Sequence, residues 1–153
     1  MADDIRALLL HSYDVPGTAL KRALEDQFIA TEMAQSFTEA TERISSLNPP
    51  HLVFTETDLP DGTWSDVVDL AARASRPVSV IVVSPVADIP LYIDVMERKA
   101  FDFITHSFTT MEINHVLRCA VDDIIRLRKE PPKFPSISTK EGARKDKRSF
   151  KKT

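Results

Sequence analysis

The sequence is poor in several features that mark whole classes of protein. Its 153 residues include one cysteine, Cys119, so an internal disulfide is excluded and a reducing compartment is expected. No apolar run approaches the roughly 20 residues that are needed to span a bilayer. The acidic start Met-Ala-Asp-Asp lacks the basic residues of a secretory signal. We therefore expect a cytoplasmic protein without a membrane segment.

Motifs of common catalytic and metal sites are also missing. Ser84 lies outside any G-x-S-x-G pattern and is followed directly by Pro85, which argues against a hydrolase that uses Ser84 with a histidine and Glu56. His11, Glu56 and His106 together could offer two imidazoles and a carboxylate to Zn²⁺ or Fe²⁺. However, the chain has no His-x-x-x-His pair and no paired cysteines. We predict neither a catalytic residue nor a metal ligand.

The composition is that of a globular domain with an unusual distribution of charge. The apolar fraction is 42% and the charged fraction 28%, which suits one ordinary domain. From Lys129 onward, nine basic residues face three acidic ones, a net charge of +6 that leaves −9 on residues 1–128. The pattern predicts an acidic domain over residues 1–128 and a basic, disordered tail over residues 129–153.

Five short β-like runs alternate with amphipathic helical patterns along the acidic part. Two of the runs, "ALLL" and "VSVIVV", are nearly continuous in apolar residues, as in parallel strands that are covered on both faces. The alternation predicts an α/β fold with a doubly wound, five-stranded parallel sheet and five helices. The predicted strands are residues 5–10, 28–33, 52–57, 78–84 and 101–105.

Apolar periodicity and helix-start signals place the five helices. The second helix opens with Ser36-x-x-Glu39 and the fifth with Thr109-x-x-Glu112, each the pattern of a capping box. The third helix is predicted over residues 64–74 and the fourth over residues 88–98. The apolar stripes are interpreted as core, which in the first two helices means Leu20, Ala23, Leu24, Phe28, Phe37, Ala40, Ile44 and Leu47.

Polar residues follow several of the predicted strands. In a doubly wound sheet, ligands bind beyond the carboxyl ends of the strands. The residues at the ends of strands one, three, four and five are His11, Ser12, Glu56, Ser84, Thr105 and His106. They are the candidate site residues.

Two segments carry a family resemblance. "LPDG" follows the third strand and "AFDFITHSF" spans the fifth, and with the order of elements they resemble response-regulator receiver domains, the CheY-like family, over residues 4–128. The resemblance implies the flavodoxin-like sheet order 2-1-3-4-5. It also implies a role in two-component signal transduction, or phosphorelay.

The family's reactive positions are altered in this chain. In receivers of this kind, an aspartate at the end of strand three accepts the phosphoryl group, and that position holds Glu56, with Asp58 two residues later. The acidic pair that binds metal falls on His11 and Ser12, and the lysine after strand five falls on His106. Because Mg²⁺ requires oxygen ligands, we expect it to bind weakly or not at all. The usual phosphoryl transfer should then fail.

Two other family positions are retained, namely the hydroxyl residue Ser84 and the switch aromatic Phe103. Their retention leaves several hypotheses open. Glu56 could imitate a phosphorylated aspartate, or the pocket could be degenerate. The chain could also be a genuine phosphoacceptor that uses Glu56 or Asp58.

The resemblance further implies a partner-binding and dimerising face on helix four, strand five and helix five. Its predicted residues are Tyr92, Val95, Met96, Lys99, Phe103, His115, Arg118 and Asp122. We therefore expect an atypical receiver, without cofactor or catalytic residue, that acts by contact with signalling proteins and could form a homodimer. The basic tail is either solvated or a weak, salt-sensitive contact for nucleic acid.

Overall fold

A five-stranded parallel sheet lies between two layers of helices in the computed structural model. The structure describes residues 4–11 and 14–130, and for residues 14–18 the backbone alone. The strands are β1 (Arg6–Leu10), β2 (Ala30–Ala34), β3 (Leu52–Glu56), β4 (Asp58–Leu59), β5 (Gly62–Thr63), β6 (Ser79–Ser84) and β7 (Asp102–Thr105). The helices are α1 (Asp14–Asp26), α2 (Phe37–Ile44), α3 (Trp64–Ala72), α4 (Ile89–Glu97) and α5 (Thr110–Lys129).

The sheet has the predicted order. Its strands run β2-β1-β3-β6-β7, all parallel, and β4 and β5 form a separate antiparallel ribbon. We call the end of the sheet where the strands start its amino end, and the opposite one its carboxyl end. Because all five strands are parallel, the residues that follow β1, β3, β6 and β7 meet at the carboxyl end.

The core has two halves, one on each face of the sheet. Alternate residues of β1 point to opposite faces, so Leu9 packs with the helices α1 and α5, whereas Leu8 packs with α2, α3 and α4. Continuous burial along β3 and β6 is what the uninterrupted apolar runs indicated. Helices α4 and α5 therefore lie on opposite faces.

The turn after α1 corrects the prediction for Phe28. The amide of Ile29 donates to the Leu24 carbonyl (3.1 Å) and that of Phe28 to the Glu25 carbonyl (2.9 Å), the bonding of a Schellman motif. Phe28 has a φ of 61° and is 95% exposed. It belongs to neither the core nor a strand, and β2 starts two residues later than predicted, because Phe28 holds the left-handed position that ends the helix.

Helix α2 is shorter than predicted and begins differently. It ends at Ile44, and Leu47 is 92% exposed, so the assignment of Leu47 to the core is wrong. Ser36 accepts the Glu39 amide as predicted (3.1 Å), but the Glu39 carboxylate accepts from the amide of Gln35 (3.0 Å). The capping box predicted for α5 forms in full between Thr109 and Glu112.

Asp61 supplies a second cap to α2 from the turn between β4 and β5. Its carboxylate accepts hydrogen bonds from the amide of Phe37 (2.6 Å) and from the amide and hydroxyl of Thr38 (3.0 and 2.7 Å). The bonds from Thr38 and then Phe37 lower the pKa of Asp61. The following Gly62 allows the close approach, because a Cβ there would lie 3.2 Å from Phe37.

Two arginines hold the loops at the amino end of the sheet. Arg128 donates to the carbonyls of Pro77 (2.8 Å), Pro49 (3.1 Å) and Pro50 (2.8 Å), and Arg6 also donates to Pro49 (2.8 Å). Burial, with repulsion from Arg76 and Arg6, lowers the pKa of Arg128 to about 10. These side chains fasten the end of α5 to the sheet.

Helix α5 runs one residue past the predicted domain end, to Lys129. Residues 131–153, most of the predicted basic tail, lie outside the described residues. Within the described ranges, no helix is both long and apolar enough to cross a membrane.

Candidate functional site

The carboxyl end of the sheet holds a small cavity that brings three predicted site residues together. His11 follows β1, Glu56 ends β3 and His106 follows β7. The cavity is lined by Leu9, Leu10, His11, Leu20, Phe54, Thr55, Glu56, Val83 and His106. Its volume is about 20 Å³, which is room for about one water molecule.

The imidazole of His11 is buried and that of His106 is half-buried. His11 is 5% exposed, and its amide donates to the carbonyl of Ala34 (3.0 Å). The amide of His106 donates to the carbonyl of Ser84 (2.9 Å), so the segment after β7 is tied to the end of β6. The His106 Nε2 is buried without a hydrogen-bond partner among the described residues. An atom of this kind normally bonds to water or a ligand.

The two candidate carboxylates are separated. Glu56 is half-buried and lines the cavity. Asp58 lies in β4, where it is exposed and accepts a bond from the Thr57 hydroxyl (3.3 Å). The ribbon formed by β4 and β5 thus takes Asp58 away from the cavity lining. Ser12, the other predicted site residue, lies outside the described residues.

The hydroxyl of Ser84 is engaged in its own loop. Ser84 is 2% exposed; it donates to the carbonyl of Val86 (2.8 Å) and accepts from the amide of Val86 (3.3 Å). A hydroxyl has a single proton to donate. In this conformation the proton goes to Val86, so Ser84 does not donate to Glu56.

Phe103, the predicted switch aromatic, is half-buried at the surface of β7. Its ring meets the ring of Tyr92 edge-on, with centroids 5.8 Å apart and planes at 84°, which is a favourable aromatic geometry. Phe103 also packs against the half of the core that contains Val95 and Ala100. It therefore connects β7 to the outer surface of α4.

The predicted interaction face is divided by the structure. Val95 is 0% exposed, so it is a core residue on the inner side of α4 and its prediction as a contact residue is wrong. Tyr92, Met96 and Lys99, which were predicted for the same face, are exposed. Arg118 and Asp122 are exposed too, but they line a groove beside α1 and β2.

The outer side of α4 carries an apolar stripe, of which the predicted interaction face included Tyr92 and Met96 but not Ile89 and Ile93. Its exposed fractions are 71% for Ile89, 45% for Tyr92, 48% for Ile93 and 37% for Met96. These positions follow the spacing i, i+3, i+4 and i+7, which defines one face of a helix. The sequence of α4 could have revealed the stripe, because the helix is apolar on more than one side. Only Val95 and Leu91 are needed to pack its inner face against the core.

The described lining of the cavity offers a magnesium ion few suitable ligands. Mg²⁺ requires oxygen ligands in octahedral geometry, whereas Glu56 contributes the one carboxylate among the described residues of the lining, beside two imidazoles. Across residues 4–11 and 14–130, no three or more histidine, cysteine, aspartate or glutamate side chains are grouped so that they could hold a metal ion.

Comparison with known proteins gives a likeness of structure. No family model matches the chain, and no curated protein matches its sequence. Three of the similar solved structures are receiver domains from different organisms. They are the signal receiver domain of an HD domain-containing protein from Pseudomonas fluorescens Pf-5 (17% identity, 86% of this chain and 96% of that one, TM-score 0.76), a CheY-like response regulator receiver domain protein from Methanospirillum hungatei JF-1 (16%, 81% and 98%, 0.70), and a response regulator receiver domain protein from Clostridium thermocellum (18%, 80% and 98%, 0.70).

At these identities the likeness concerns the fold alone. The three structures are receiver domains, and each is covered almost completely by this chain. The sheet order and the five helices agree with that architecture. The chain thus has the flavodoxin-like fold of a response-regulator receiver domain.

Proposed function

We propose that this protein is an atypical receiver of a signal-transduction system, which works by contact with other proteins and does not carry out the usual phosphoryl transfer. The observation that carries the proposal is the lining of the cavity at the carboxyl end of the sheet. There, Glu56 lines the cavity together with His11 and His106. On this proposal the protein has no catalytic residue and needs no cofactor.

The chemistry of phosphoryl transfer explains why this lining matters. The transfer depends on a metal ion that bridges phosphoryl oxygens and on positive groups that stabilise the developing charge. An imidazole at position 11 offers nitrogen where the metal requires oxygen. This property supports a site that has lost the reaction.

The outer stripe of α4 supports a role in protein contact. Ile89, Tyr92, Ile93 and Met96 place large apolar side chains in water on one helix face. Contiguous exposed apolar surface of this kind marks interaction sites in soluble proteins. Because Phe103 touches Tyr92 from β7, the stripe and the strand form one surface.

An amide NMR titration of the full chain with Mg²⁺ and beryllofluoride tests the loss of chemistry. Beryllofluoride occupies a receiver site only when a carboxylate, a metal and a supporting cation are in place. We expect no saturable shifts at Glu56, Ser84 or Phe103. Saturable shifts that disappear in Glu56→Gln would instead identify Glu56 as a working acceptor, and shifts that disappear only in Asp58→Asn would identify Asp58.

A pair of matched variants tests the contact surface. Ile93→Asp charges the stripe, whereas Leu47→Asp charges an exposed apolar residue beyond α2, outside the stripe (48% and 92% exposed). We expect Ile93→Asp to lose the signalling partners that co-purify with the wild-type chain, and Leu47→Asp to retain them. Equal retention by both variants would refute a role for the stripe.

A further inference from the structure

A groove lies at the amino end of the sheet, at the opposite end from the cavity. It is formed by the segment before β1, the turn between α1 and β2, and the outer side of α5, and its volume is about 230 Å³. Its apolar floor consists of Ile5, Ile29, Leu117 and Val121, and its exposed rim consists of Gln27, Phe28, Arg118 and Asp122. Nothing in the proposed function uses this surface.

Phe28 is the unusual member of the rim. It holds the left-handed position of the Schellman motif, with a φ of 61°, a conformation that costs an L-residue about 1–2 kcal/mol and favours glycine. Yet its ring is 95% exposed, so no intramolecular contact compensates. A bulky aromatic side chain held in this way, directly beside an apolar groove, has the shape of a contact residue.

We propose that the groove binds a second copy of this chain, so that Phe28 of each copy enters the groove of the other. Projection and groove lie side by side on the same surface. A two-fold axis through that surface brings each projection to the other copy's groove, which is the geometry of an isologous dimer. Phe28 would then be buried against Ile5 and Val121, the half-buried members of the floor.

The charges of the rim are complementary to themselves. Arg118 and Asp122 lie one turn apart on α5, both exposed, and within the part of the chain that the structure describes neither forms an ion pair. When two α5 helices cross in antiparallel directions at a two-fold axis, Arg118 of each copy faces Asp122 of the other. A rim with one charge of each sign fits a second copy better than it fits the chain's basic C-terminal segment or a polyanion.

The test is the oligomeric state of the full chain, measured by analytical ultracentrifugation over a range of concentrations. The variant is Phe28→Gly, and the matched control is Lys99→Gly. Lys99 has a φ of 70° and ends α4 in the same motif, with bonds from Lys99 N to the Met96 carbonyl (3.1 Å) and from Ala100 N to the Val95 carbonyl (3.3 Å). Both substitutions relieve the same backbone strain, but only one removes the aromatic ring.

We expect Phe28→Gly to raise the dimer dissociation constant about tenfold or more, because burial of one such ring is worth at least a factor of that size. Lys99→Gly should leave the constant unchanged. A chain that stays monomeric at every concentration, or a dimer that is unaffected by Phe28→Gly, would overturn the proposal. A dimer lost only in Lys99→Gly would place the interface on the α4 side instead.

Charge reversal gives an independent check. Arg118→Glu and Asp122→Arg each bring like charges together in the isologous contact and should weaken the dimer. The double variant restores opposite charges and should recover it. Failure of recovery would contradict the proposal. A dimer that is lost on removal of residues 131–153 but is insensitive to these three variants would also contradict it, and would point to the C-terminal segment.

Discussion

At the amino end of the sheet, Arg6 and Arg128 direct their guanidinium groups to backbone carbonyls of neighbouring loops, whereas at the carboxyl end His11, Glu56 and His106 surround a cavity. Both ends carry polar side chains, and at both ends loops connect the strands to the helices. The difference is what the polar atoms face. Those at the amino end bond to the protein's own backbone, and those at the carboxyl end line a space.

This difference suggests that the polar side chains of the amino end stabilise the fold, whereas those of the carboxyl end form the candidate site. A buried polar group normally finds a partner, and at the amino end Nε and Nη2 of Arg128 bond to backbone carbonyls, although Nη1 of the same group has no partner in the described part of the chain. Burial beside Arg76 and Arg6 lowers the pKa of Arg128 to about 10. At the carboxyl end, the His106 Nε2 has no such partner among the described residues. Substitutions at the first end should therefore change stability, and substitutions at the second should change the response to ligands.

The largest effect on stability is expected for Arg128→Met. Methionine keeps much of the side-chain volume but leaves the carbonyls of Pro49, Pro50 and Pro77 without this donor. We expect a loss of about 1–2 kcal/mol in the free energy of unfolding, because the carbonyl of the buried Pro50 loses its charged donor. Pro49 keeps the bond from Arg6, and Pro77 is exposed to water. Urea denaturation measures it.

Arg126→Met is the matched control on the same helix. Arg126 pairs with Asp123 and Glu130 at the surface, where ion pairs add little stability. Its loss should be several times smaller than that of Arg128→Met. Equal losses for the two variants would mean that the contacts to the loops are not what stabilises the amino end.

A smaller effect, with a ligand response, is expected for His11→Asp. This change places a second carboxylate beside Glu56 in the cavity, and repulsion between the two should lower the free energy of unfolding by about 1 kcal/mol at neutral pH. Mg²⁺ should recover that loss, because two carboxylates provide the oxygen ligands that it requires. Thermal melting with and without Mg²⁺ measures both changes.

His11→Asn removes the imidazole without adding a charge, and it is the control for this experiment. Its melting temperature should not respond to Mg²⁺. If the Asp and Asn variants melt alike and neither responds, then the side chain at position 11 does not share a site with Glu56.

The sheet was predictable from the sequence because burial dictates it. Strands covered on both faces must be apolar throughout, and "VSVIVV" became β6 with every residue buried. The order of the strands was implied by the resemblance to receiver domains. The alternation of elements predicted a doubly wound parallel sheet whose carboxyl end brings His11, Glu56 and His106 together. No detail of a side chain was needed for that step.

The errors concern features that depend on loop geometry or on the facing of one helix. Phe28 and Leu47 fit a helical period, but each lies just beyond its helix, where the chain turns away from the core. Val95 was predicted as a contact residue because the resemblance places helix four on the interaction face, yet Val95 is buried. The bond of Ser84 to Val86 depends on a turn that periodicity cannot reveal.

Asp61 lies in the turn between β4 and β5, beyond the carboxyl end of β3. Like the arginines of the amino end, however, it bonds to the protein's own backbone. Its carboxylate is occupied by the first turn of α2, and the hydrogen bonds from Thr38 and Phe37 lower its pKa below the ordinary 3.8. Since the folded state favours the ionised form, the contribution of Asp61 to stability is present above that ordinary value. It is lost as the pH falls through the lowered pKa of the folded state.

Asp61→Asn should therefore melt at a lower temperature than the wild type near neutral pH, and the difference should shrink as the pH falls below 3.8. This is the smallest of the expected effects, because the cap is exposed to solvent. Asp58→Asn is the control, since Asp58 is an exposed carboxylate of the same ribbon without a bond to α2, and its difference from the wild type should not follow this course. A deficit of Asp61→Asn that stays constant from pH 7 into the acid range would show that the shape of the cap, and not its charge, supports the helix.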